Sequence, residues 1–170
     1  MPSWEFRRAH RFALACRIKM EAMVEPPDGA SYVVAAYKGG AVEPHKLAWS
    51  IPRHVLPGGH VTDAQRYLYE EVVHVTSSPA ATDSHLLGVV YADSPLAAKE
   101  ATLSAVSVAV TGIVTIIDKL FSLDKKKDAT AGKFIYATAE GGLTYTVTDH
   151  RVGMLLEAGS QNDGRVLLRL

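Results

Sequence analysis

The chain has 170 residues, 48% hydrophobic and 21% charged, which is enough for one well-formed core and too apolar for a disordered segment. Eighteen basic residues balance eighteen acidic ones. The positive surplus that nucleic-acid binding draws on is therefore missing, and so is the self-repulsion that keeps copies of a chain apart. The single cysteine, Cys16, excludes an internal disulfide framework and points to a reducing compartment.

The N-terminal stretch carries Arg7, Arg8 and Arg11, but the apolar run of a secretory signal does not follow them, so a cytoplasmic location is expected. Residues 12–24 alternate, with Phe12, Leu14, Cys16, Ile18, Met20, Ala22 and Val24 on one side and Arg11, Arg17, Lys19 and Glu21 on the other. This period of two predicts a long strand with one wet face. Pro26, Pro27, Asp28 and Gly29 make a turn, and residues 31–38 read as the returning strand of an antiparallel hairpin. A third strand is expected over 46–51 and a glycine- and proline-punctuated loop over 52–59. Thr62 or Asp63 then caps a helix running through Val73.

Residues 85–92 are rich in β-branched and aromatic side chains and end at Asp93-Ser94-Pro95, where proline pushes its predecessor out of helical space. About 20 residues of helix-length apolar sequence follow over 101–120, diluted by Thr102, Ser104, Ser107, Thr111, Gly112 and Thr115. A buried helix is expected there, not a membrane span. Its seam is Leu103, Val106, Val110, Ile113 and Ile117, and most of its remaining surface is apolar too. Such a helix must be covered on both sides, either by the rest of the chain or by a second copy in a homodimer. Beyond the charged connector 124–132, strands over 133–139 and 143–148 flank Gly141-Gly142, and strands over 152–157 and 165–170 flank a polar turn. The expected class is α+β: a mostly antiparallel sheet with a long apolar helix packed on it, followed by C-terminal β-hairpins.

The segment Leu87-Gly88-Val89-Val90-Tyr91-Ala92-Asp93-Ser94-Pro95 with its long apolar sequel resembles the last strand and closing helix of a GAF-type sensor domain. The resemblance covers residues 12–121. It divides the chain into a GAF-like core, 1–123, and a β-hairpin extension, 133–170, within one globular unit. It implies a regulatory, non-catalytic module whose small-molecule pocket lies over 47–75. There Trp49, Arg53, Tyr67 and His74 offer groups that stack on and hydrogen-bond a planar ligand, although Trp49 and Tyr67 also suit a plain packing role. No particular cofactor is implied.

Catalytic and metal signatures are not expected. His54 and His60 stand six apart in a loop, and Glu71-x-x-His74 lacks the second copy that a di-iron bundle needs. Asp93-Ser94 and Asp149-His150 supply triad atoms without a nucleophile elbow, and the glycine pairs lack phosphate-loop spacing. Three functions follow, in descending order: a ligand-binding sensor that forms homo-oligomers, an assembly subunit without a ligand, and an enzyme of unrecognised fold. No nucleic acid and no membrane enter any of them.

Overall fold

A computed structural model describes residues 30–38, 42–53, 62–79, 84–91, 103–122, 128–159 and 161–170. The strand expected over 12–24 lies outside these residues, as do Cys16, His54, His60 and Asp93. The described part is built from two sheets and one short helix. Five strands, β1 (Ser31–Lys38), β2 (Leu47–Ile51), β3 (Val73–Thr76), β4 (His85–Val90) and β5 (Leu103–Thr111), close into a barrel in the order β1-β3-β2-β4-β5. The pairings are antiparallel except β1 with β3, which is parallel. Helix α1 (Asp63–Glu70) makes the crossover between β2 and β3. The other five strands, β6 (Ile113–Ile117), β7 (Phe134–Ala137), β8 (Leu143–Thr144), β9 (Arg151–Ala158) and β10 (Asp163–Leu168), form a second sheet in the order β6-β10-β9-β7-β8.

The α+β class is therefore corrected: the protein is mostly β, and the long helix expected over 101–120 does not exist. That segment is β5, a break at Gly112, and β6, each in a different sheet. Val106, Val108, Val110, Thr111, Ile113, Val114, Thr115, Ile116 and Ile117 are all β-branched, which crowds a helix and suits a pleated strand. Gly112 has φ +92, and a Cβ built there would lie 2.5 Å from the Cα of Ala30. Only glycine turns the chain from barrel to sheet at so close an approach. The five residues of the expected helical seam do not form one stripe. Leu103 packs under α1, Val106 fills the barrel, Val110 is partly buried on β5, and Ile113 and Ile117 lie on β6. The strand-then-helix unit that carried the sensor resemblance is thus strand followed by strand.

Alternation along the barrel strands separates three apolar clusters. Ala35 and Tyr37 of β1 point into the barrel with Ala48, Val75, Val90, Val106 and Val108, whereas Ala36 between them points outward beneath Leu68, Tyr69 and Val72 of the α1 region. On another outer side, Leu47, Trp49, Val89 and Ala109 meet Val114, Ile116, Ile135, Val152, Leu155 and Val166 of the second sheet. This inter-layer core fixes the two sheets against each other. Helix α1 begins where the Thr62 side chain accepts from the Gln65 amide at 3.2 Å, and the 3-10 turn Lys119–Phe121 begins where Asp118 accepts from the Leu120 amide at 2.8 Å.

One residue braces the joint. His45 donates its amide to the Val90 carbonyl and accepts from the Ile117 amide, both at 2.9 Å, and its Nδ1 lies 3.1 Å from the Thr115 carbonyl. It thereby covers part of the free edge of β6. Its φ of 59 is a left-handed conformation that a non-glycine residue holds only when its surroundings impose it.

Candidate functional site

The inner face of the second sheet is spent on the inter-layer core, and the side chains that alternate with it form an outer face. The registers place Phe134 opposite Met154, Met154 opposite Leu167 and Leu167 opposite Ile113. Cross-strand partners project to the same side, so these four side chains make one apolar row across β7, β9, β10 and β6. Phe134 is 46% exposed, and Met154, Leu167 and Ile113 are half-buried.

Charge flanks the row on both sides. On one side Arg151 lies opposite Tyr136, donates Nε–H to the Arg169 carbonyl at 3.0 Å, and holds its guanidinium 5.8 Å from the centre of the Phe134 ring. On the other side Glu157 lies opposite Arg165, with 3.9 Å between their charged atoms and both side chains at least half exposed. Such an exposed pair adds little to folding in water.

The four residues expected to bind a ligand divide between two places. Trp49 is buried in the inter-layer core, edge-on to the His150 ring at 5.1 Å. Its indole N–H has no hydrogen-bond partner, and the same holds for the phenol oxygens of Tyr32 and Tyr145. Burial pushes both phenols above their ordinary pKa. The other three lie on the α1 side of the barrel. His74 is buried beside Tyr69 and donates Nε2–H to the Leu68 carbonyl at 2.8 Å. Burial lowers its pKa, and the nearby Arg53 charge lowers it further against the carbonyl's opposite effect. Tyr67 packs against the cluster under α1, and Arg53 is exposed beyond the end of β2.

Among the described residues no three histidine, cysteine or acidic side chains gather closely enough to hold a metal ion, and no helix is long and apolar enough to cross a membrane.

No family model and no curated protein matches the chain. Among solved structures, the N base of the head fiber gp8.5 in bacteriophage phi29 is similar at 14% identity and a TM-score of 0.45, covering 82% of this chain and 94% of that one. Sensor and ligand-binding labels find no support in these comparisons, and the mostly β fold overturns the α+β description attached to them.

The sequence reading missed the outer row. A signal for it was present: Val152-Gly153-Met154-Leu155-Leu156 and Val166-Leu167-Leu168 are apolar at odd and even positions alike, although a sheet wet on one face needs only one.

Proposed function

We propose that this protein is an assembly subunit that acts by self-association through the outer face of its second sheet, without catalysis. The observation behind this reading is the apolar row Phe134, Met154, Leu167 and Ile113 across that face. Water against such a row is released when a second surface meets it, at about 25 cal/mol for each Å² of apolar area covered.

The edges of the sheet are poorer contacts than its face. His45 covers part of the β6 edge, and β8 at the other end has only two residues. Short or covered edges resist strand-to-strand pairing, so association is directed to the face. The balanced net charge adds no long-range repulsion between copies.

Light scattering over a concentration series tests the reading. The wild-type chain is expected to exceed the monomer mass as concentration rises, and Phe134→Ser with Leu167→Ser to remain monomeric with an unchanged melting temperature. A wild-type monomer at every concentration overturns it, as does a double variant that associates as the wild type does.

A further inference from the structure

Charge is unevenly divided on the outer face. Its strands carry Arg151 and Glu157 on β9, Asp163 and Arg165 on β10, and Arg169 one residue beyond β10, each turned outward by its cross-strand partner or by alternation with buried Val166 and Leu168. The apolar row Phe134-Met154-Leu167-Ile113 separates two flanks. On one flank Arg165 is balanced by Glu157, 3.9 Å away, and by Asp163, whose side chain accepts from the Gln161 amide at 2.9 Å. On the other flank Arg151 and Arg169 stand on neighbouring strands. Among the described residues neither has a carboxylate within ion-pair reach, and exposed Asp149, two residues before Arg151, forms no ion pair with it.

We infer that this face docks an amphipathic helix of another protein, with an apolar stripe over the row and acidic side chains on the shoulder that meets Arg151 and Arg169. The inference goes beyond self-association and does not depend on it, since the two occupants compete for one face. Strands ~4.8 Å apart nearly match the helical pitch of about 5.4 Å, so a helix lying along the row sets one apolar side chain over each strand. Arg151 and Arg169, on adjacent strands, then face acidic residues one turn apart, at i and i+4.

Arg151 is held ready for such a partner. Its Nε–H is tied to the Arg169 carbonyl at 3.0 Å and its guanidinium lies 5.8 Å from the centre of the Phe134 ring, which leaves the Nη groups to meet a carboxylate with little side-chain freedom left to lose. Helix α1 of a second copy is not this helix, because its apolar residues Leu68 and Tyr69 are buried against the barrel. Nucleic acid fits less well than an acidic helix. Its regularly spaced phosphates would also pass Glu157 and Asp163, and the chain has no positive surplus to draw them in.

Fluorescence anisotropy tests the inference at a protein concentration where light scattering shows a monomer. The probe is a labelled helical peptide of about 14 residues with leucine once per turn and glutamates at i and i+4 on one shoulder. It is expected to bind more weakly as salt rises, and the same peptide with glutamine for glutamate to bind about ten-fold more weakly. Arg169→Gln, whose side chain makes no described contact, should weaken the acidic peptide about three- to five-fold at low salt, as exposed charge pairs do. Arg169→Glu should weaken it further and should bind a lysine version of the peptide better than the wild type does. Glutamate and glutamine peptides that bind alike, or an Arg169→Glu variant that binds the acidic peptide as the wild type does, overturn the inference. So does an oligothymidylate that binds more tightly than the peptide, or no peptide binding up to millimolar concentration. A wild-type monomer at all concentrations removes self-association and leaves this measurement intact, whereas failure of the peptide with self-association preserved removes only the docking helix.

Discussion

Gly112→Ala gives opposite outcomes for the two descriptions of residues 101–120. In a helix interior, replacing glycine by alanine stabilises by about 0.8–1 kcal/mol where the added methyl finds room, because alanine has less backbone freedom to lose. In the structure Gly112 has φ +92, a region in which an L-residue costs about 1–2 kcal/mol. The new methyl would also stand 2.5 Å from the Ala30 Cα and 2.8 Å from its nitrogen, contacts that only a backbone shift relieves. Forcing such a shift adds about 1–2 kcal/mol, at the low end of overpacking costs. The total is a loss of about 2–4 kcal/mol, and with a urea m-value near 2 kcal/mol/M the midpoint should fall by about 1–2 M. Urea unfolding followed by circular dichroism measures this directly, with a constant m-value as the control. Gly112→Asn carries the same Cβ but tolerates positive φ, so its smaller loss separates the conformational cost from the steric one. A midpoint at or above wild type for Gly112→Ala would refute the turn and restore the helix.

His74 makes stability depend on pH. Its folded-state pKa lies below the unfolded value of 6.5, so the unfolded chain takes up the proton first and its stabilising contribution, complete above pH 6.5, is lost as pH falls through the folded value. His74→Gln should flatten that part of the stability profile measured by urea titration at successive pH values, and an unchanged slope would contradict the assignment. Trp49→Phe removes a buried N–H that has no partner, so it should cost under about 1.5 kcal/mol despite the lost volume, whereas Trp49→Ala should cost about 3–5 kcal/mol. Thermal unfolding separates the two, and equal losses would mean that the indole nitrogen is satisfied.

Local signals were legible without the structure. The strand expected over 31–38 coincides with β1, Thr62 caps α1, and the glycines at 141 and 142 stand at the turn between β7 and β8. In each case the cause lies within a few residues: a side-chain oxygen reaching an amide three positions on, a glycine pair that permits a tight turn, or a run of β-branched and aromatic side chains that suits a strand. The segment 101–120 is also rich in β-branched side chains but shows no alternation. Val106 and Val108 face the barrel interior while Ala109 faces the inter-layer core, so both sides of β5 are buried and the polar half of the alternation is missing. An apolar run of that length has the same composition whether it forms a helix or two strands, and its length favoured the helix. The decision belonged to Gly112 and to the partners waiting on each side of it, β1 for β5 and β10 for β6. The candidate surface was hidden for a related reason. Arg151, Met154 and Glu157 stand three apart, a spacing that alternates faces in a regular strand, and only the bulges opposite β7 and β10 bring them to one side. Bulges arise from pairing between strands, and that pairing exists only once the chain has folded.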